Sequence, residues 1–128
     1  MSGTEFEVTA EPVIGSGRVV AILPPEIDLT NADVIADQLV RMAVADRGVR
    51  VVVADLSRTT FCDSRGVHQL LMACRHAGAR GVELRLAAPR EPVIRVFELT
   101  GVSALVRLYP DVPAALAAEA ARPVAEQP

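Results

Sequence analysis

The residues that invite chemistry gather around Ser64. The stretch Cys62-Asp63-Ser64-Arg65-Gly66 is followed by His68 and preceded by Thr59 and Thr60. A serine hydrolase would seat its serine on a G-x-S-x-G elbow and orient a histidine with a carboxylate. Here Cys62 stands where the first glycine of that elbow belongs, and His68 reads as a solvated neighbour on the same helix face. That leaves hydrolysis as a remote alternative. A metal site fails on spacing: His68 and His76 are not at i, i+4, and Cys62 and Cys74 form no C-x-x-C. No G-x-x-x-x-G-K-[ST] loop is present, so ATP would belong to a partner and no cofactor is expected. The remaining chemistry is phosphorylation. A serine at a helix N-terminus meets unpaired amides and a partial positive charge, which tolerate a phosphate. That group would add about −1.5 to −2 charge beside Asp63, enough to repel an acidic partner surface or block a close contact. The plainer reading is that Asp-Ser before an apolar helical stripe is simply a cap.

The elements around this segment fix its place. Glu5 to Val8 alternates like a strand, Gly15-Ser16-Gly17 turns, and Arg18 to Leu23 is a second strand stopped by Pro24-Pro25. Asn31 is expected to cap a helix whose stripe is Ala32, Ile35, Leu39, Met42 and Ala43, closing before Gly48. Val49 to Leu56 holds the run Val51-Val52-Val53 and reads as a strand buried on both faces. After a loop from Ser57 to Asp63, a helix starts near Ser64 with Val67, Leu70, Leu71 and Cys74 inward, and ends at Gly78 or Gly81. Glu83 to Ala87 is the next strand. Pro92 opens a helix that Gly101 closes, Val102 to Leu108 suggests a short strand, and Asp111 caps a last helix to about Ala121. The order β-β-α-β-α-β-α-β-α predicts an α/β fold: one mixed, mostly parallel sheet of four to five strands with four helices. Residues 5–120 are expected to form a single domain and 121–128 a disordered tail.

Composition narrows the function. All thirteen cations are Arg, net charge is −3, and no basic stripe appears, which disfavours direct nucleic-acid binding. Aromatic residues are 3% of the chain and Trp is absent, so no stacking platform exists either. No signal peptide or membrane span is read, which implies a cytoplasmic protein with Cys62 and Cys74 as core thiols. Cys62 precedes the loop closely enough to keep a redox effect open.

Three elements together resemble one family. The chain shows Asp55-Leu56-Ser57 leading to Asp63-Ser64-Arg65-Gly66-Val67, with Pro25-Glu26-Ile27-Asp28 upstream and Phe97-Glu98-Leu99-Thr100-Gly101-Val102 downstream. This is similar to the STAS domain family, of the anti-sigma-factor antagonist (anti-anti-sigma factor) type, over roughly Phe6 to Ala118. The resemblance implies a STAS-like domain that is a binding protein and not an enzyme. Unphosphorylated, it would capture an anti-sigma factor with serine kinase activity and free a sigma factor, so regulating transcription by partner switching. The kinase would phosphorylate Ser64, and a serine phosphatase would reverse it. Asp28, Asp63, Ser64, Arg65 and Gly66 would line the partner surface of a monomer or weak dimer that meets neither nucleic acid nor membrane. Pro25 departs from the family's Gly, Asn31 from its frequent Thr, Arg65 from a small residue and Cys62 from a larger apolar one. A related alternative keeps the fold as a soluble subunit of a lipid transporter or a stress-sensing scaffold, binding an ATPase or kinase.

Overall fold

A computed structural model describes residues 8–13 and 15–119. Its centre is β4 (Val51–Asp55), whose first four residues are all buried. It lies between β2 (Arg18–Ile22) and β6 (Glu83–Ala87), parallel to both. The flanks are β1 (Thr9–Val13), antiparallel to β2, and β7 (Leu108–Tyr109), parallel to β6. The sheet order is therefore β1-β2-β4-β6-β7. Four helices complete the α/β fold: α1 (Ala32–Val44), α2 (Ser64–Ala79), α3 (Glu91–Leu99) and α4 (Val112–Ala117).

Strand alternation sorts the core into two layers. Val52, Ala54, Leu84 and Leu86 face Ile35 and Leu39 of α1, Val67, Leu70 and Cys74 of α2, and Val93 and Phe97 of α3. Each fully buried Leu, Ile or Phe there contributes about 1.5–3 kcal/mol. The opposite face is thinner: Val20, Val51, Val53, Ala87 and Tyr109 meet α4 through Ala115. Arg85 lies among them, 2% exposed. It donates to the Ala115 and Glu119 carbonyls at 2.6 and 3.3 Å and to Glu83 Oε1 at 3.0 Å. A cation at the carbonyl end of a helix is favourable, so Arg85 pins α4 to the sheet.

Several expectations shift. The first strand is Thr9–Val13, not Glu5–Val8; Glu5 to Glu7 lie outside the described residues, and Val8 is a buried bend. Pairing Val13 with Arg18 across the turn draws the strand to the residues beside it. Pro12 is tolerated because β1 is an edge strand. The stretch Val102 to Leu108, expected as a short strand, is a 3-10 turn at Val102–Ala104, and only Leu108 of it lies in the two-residue strand β7. Gly101, at φ +82°, turns the chain there, and the amides of Leu105 and Val106 both return to the Val102 carbonyl. The last helix ends at Ala117, where Ala118 turns extended. The expected tail at 121–128 lies outside the described residues. Two strands not expected at all, β3 (Glu26–Ile27) and β5 (Phe61–Cys62), pair in parallel as a separate small sheet.

Candidate functional site

The small sheet builds the site. It ties the loop after β2 to the loop after β4, both at the carboxyl ends of parallel strands. Pro24 and Pro25 supply only carbonyls to it. Pro24 accepts the Thr59 hydroxyl at 2.8 Å; Pro25 accepts the Thr60 amide at 2.8 Å and the Phe61 amide at 3.2 Å. The departure at Pro25 therefore costs the fold no donor. Thr59 is fully buried, so its hydroxyl holds the loop and is closed to a kinase.

Asp63 then starts α2. Its Oδ1 accepts the Gly66 amide at 2.8 Å, which makes Asp63 the N-cap. Its Oδ2 accepts the Leu29 amide at 3.2 Å, and its own amide donates to the Ile27 carbonyl at 3.1 Å. One side chain thus caps the helix and fastens the Asp28 loop to it. Ser64, expected as a possible cap, is the first helical residue and is exposed. Gly66 is buried against Ile27: a Cβ there would lie 2.8 Å from both Cys62 Sγ and Ile27 Cγ2 and 3.0 Å from the Ile27 carbonyl oxygen. Only glycine lets α2 begin so close to β3.

Asp28 forms a turn of its own. Its Oδ1 accepts the Thr30 hydroxyl and, at 2.9 Å, the Thr30 amide. Those bonds to Thr30 hold the exposed carboxyl below its usual range. Asn31 occupies the N-cap position of α1 but makes no side-chain cap bond. Its Oδ1 instead accepts the Asp28 amide at 2.9 Å, and its Nδ2 donates to the Glu26 carbonyl at 2.8 Å. An amide side chain can donate and accept at once, so it braces the turn between β3 and α1.

Arg65 points across to α1 and pairs with Asp33 at 2.8 Å. Gln69 donates to the same oxygen, and these two bonds, Gln69 first, lower the Asp33 pKa. The pair is exposed and screened by solvent, so it adds little to stability. Cys62 is buried, and desolvation, then the neighbouring Asp63 charge, push its thiol up to about 12. That suppresses the thiolate that redox chemistry needs. Cys62 and Cys74 are both free and buried. No group of three metal-binding side chains occurs among the described residues. Also among them, no helix is long and apolar enough to cross a membrane.

The structure thus gathers Asp28, Asp63, Ser64, Arg65 and Gly66 at one end of the molecule, but in different roles. Asp63 and Gly66 hold the frame, while Ser64 and Arg65 face outward. Sequence reasoning missed Leu29 and Phe61, which stand exposed beside them. Their signal was an apolar residue inside each polar loop.

A family model described as STAS domain matches residues 12–115. Among solved structures, a candidate anti-sigma factor antagonist from Thermotoga maritima is similar with a TM-score of 0.71 at 18% identity, covering 88% of this chain and 93% of its own. The anti-sigma factor antagonist SpoIIAA in its unphosphorylated form is similar at 0.62 and 23% identity, over 79% of this chain and 86% of its own. SpoIIAA of Bacillus in its phosphorylated form is similar at 0.56 and 23%, over 79% and 89%. The murine anion transporter Solute Carrier 26 family member A9 matches 91% of this chain with 19% of its own, at 0.67 and 15% identity. These likenesses are of fold: the mixed five-stranded sheet and its helices.

Proposed function

The chain belongs to the STAS domain family, and we propose that it is an anti-sigma-factor antagonist switched at Ser64. Unphosphorylated, it captures a kinase-type anti-sigma factor through the surface around Asp28, Asp63, Ser64 and Arg65, and so frees a sigma factor. It acts by binding and catalyses nothing itself. The kinase moves the γ-phosphoryl group of ATP to Ser64 Oγ; ADP leaves and the hydroxyl proton is released. The complex then weakens, and a serine phosphatase restores the hydroxyl.

The observation that carries this reading is the division of labour in the loop. The bonds that close it use Asp63, Thr59, Thr60 and backbone, and none uses the Ser64 hydroxyl. Ser64 is exposed at the first position of a sixteen-residue helix. A phosphate there meets the positive helix end, which is worth about 0.3–1 kcal/mol to a negative group. The domain therefore accepts the modification without unfolding, and only its surface changes. The likeness to SpoIIAA, known in phosphorylated and unphosphorylated forms, supports the same switch.

The test is direct. Purified chain is mixed with ATP and the kinase-type anti-sigma factors of the source genome, and phosphate is mapped by mass spectrometry. Phosphate on Ser64, lost in Ser64→Ala, is expected. Phosphate on Thr60 with Ser64 spared would refute the assignment. The fold is also shared with part of an anion transporter, the Solute Carrier 26 protein, and the second reading is a soluble transporter subunit that binds an ATPase. Capture of such an ATPase, with no anti-sigma factor bound, would decide for it.

A further inference from the structure

Two large apolar side chains stand in the open next to Ser64. Leu29 is 73% exposed and Phe61 50%. Both are held in place. The Leu29 amide is bonded to Asp63, the residue before Ser64. Phe61 lies in β5 opposite Glu26, while the next residue, Cys62, is buried. Three carboxylates neighbour them: Glu26 is the strand partner of Phe61, Asp28 precedes Leu29, and Asp63 accepts the Leu29 amide, while Arg65, the cation next to Ser64, is paired with Asp33. The ion pairs of the described residues are Asp37 with Arg41, Asp33 with Arg65 and Glu83 with Arg85, so none of these three carboxylates has a cation of its own.

Taking the proposed function as its premise, we infer that Leu29 and Phe61 are the apolar anchors of the contact with the anti-sigma factor, and that phosphate on Ser64 releases that partner by wetting this contact and not by charge repulsion. The occupant follows from charge complementarity: an apolar recess edged by cations. A large apolar anchor in a desolvated pocket carries most of the energy of such a contact, and rim charges carry little. Repulsion is then the wrong source for the switch. Against a cation-edged partner, more negative charge would tighten binding by Coulomb attraction alone. An exposed ion pair changes Kd by about fivefold at most. A doubly charged phosphate forced against an apolar contact loses its water without full repayment, at a cost of about a hundredfold or more in Kd. Desolvation wins, and the complex opens.

Salt separates the two mechanisms. Affinities of the full chain, unphosphorylated and phosphorylated on Ser64, are measured against the same purified anti-sigma factors from about 50 to about 500 mM NaCl, where charge effects are progressively screened. The ratio of the two Kd values is expected to hold or grow with salt. A ratio that collapses toward one at high salt would mean repulsion and would overturn the inference. In parallel, Leu29→Ala and Phe61→Ala should each weaken the unphosphorylated complex about tenfold or more. Val44→Ala, at the far end of α1 and also exposed, should change it less than about twofold. Leu29 lies in a loop outside both sheets, so its variant keeps the test alive if Phe61→Ala is poorly folded. Binding that is lost on phosphorylation but indifferent to both variants sinks the anchors and leaves the functional reading standing. Failure of every anti-sigma factor to bind the unmodified chain sinks both.

Discussion

Gly66→Ala asks whether the start of α2 is set by contact with β3. The added Cβ would meet Cys62 Sγ and Ile27 Cγ2 at 2.8 Å and the Ile27 carbonyl oxygen at 3.0 Å. Side chains can yield, but that carbonyl accepts the Asp63 amide and belongs to the β3 and β5 pairing. It cannot retreat without opening the small sheet. Overpacking of this kind costs about 1–3 kcal/mol, and replacing a helical glycine by alanine returns about 0.5–1 kcal/mol. The two ranges leave a net destabilisation of about 0–2.5 kcal/mol, about 1.25 at their midpoints, or a Tm lower by roughly 4–5 °C at that midpoint for a domain of this size. Thermal unfolding by circular dichroism reads it, with urea titration to check that m is unchanged. Adding Cys62→Ala to Gly66→Ala removes the sulfur contact and should restore only part of the loss, because the Ile27 carbonyl remains. A Gly66→Ala protein that melts at or above the wild-type temperature would refute the close approach as the reason for this glycine.

Other outcomes follow from the same geometry. Because Asp63 is the cap, Ser64→Ala should cost under about 0.5 kcal/mol, while Asp63→Ala should cost about 1–3 kcal/mol through the lost cap and the freed Leu29 amide; equal melting shifts would contradict this. Thr59→Val should cost about 1–3 kcal/mol by leaving the Pro24 carbonyl without its donor, and a neutral result in denaturant titration would remove Thr59 from the loop's frame. Burial raises Cys62 and Cys74 to about 12, so neither thiol should react with Ellman's reagent at pH 8 until the protein is unfolded, when both should; rapid reaction in the native state would reopen a redox role for Cys62. The Asp28 carboxyl is lowered from 3.8 by its bonds to Thr30. Its contribution to stability is therefore present above the unfolded value and is lost as pH falls below it through the folded one; Asp28→Asn should flatten that acid limb, and an unchanged limb would speak against it.

The long elements were legible because their periods are long. Ile35, Leu39 and Ala43 of α1, and Val67, Leu70, Leu71 and Cys74 of α2, repeat often enough to fix a face. The run Val51-Val52-Val53 could hardly be anything but a central strand. The small sheet was not legible, since two residues of β3 and two of β5 carry no period. Without it, no spacing or period in the sequence joined the Asp28 loop to the Ser64 loop; only the family resemblance put them on one surface. The burial of Arg85 was not legible either. In Glu83-Leu84-Arg85-Leu86-Ala87 alternation points Arg85 away from the leucines, which reads as solvent, but α4 returns from far along the chain to cover it. Leu29 and Phe61 stayed hidden because an apolar residue in a loop is more often buried than displayed.

The motif Asp63-Ser64-Arg65-Gly66 divides into two jobs that its compactness conceals. Asp63 spends both carboxylate oxygens on amides, one in its own helix and one in the neighbouring loop. Gly66 gives up its side chain so that Ile27 can sit against the helix. These two are fixed by the frame, and so by physics that any partner leaves unchanged. Ser64 and Arg65 lie between them and face outward, free to carry a message. The sequence departures fall on either side of this line. Pro25 stands at a point where only its carbonyl is used, and Asn31 braces the turn between β3 and α1 with both ends of its amide, so the frame absorbs both. Arg65 is different. Its pairing with Asp33 is exposed and weak enough for a partner's own charge to replace it. If the proposed function holds, a change at Arg65 should alter which partner is chosen at constant fold, whereas a change at Gly66 alters the fold itself.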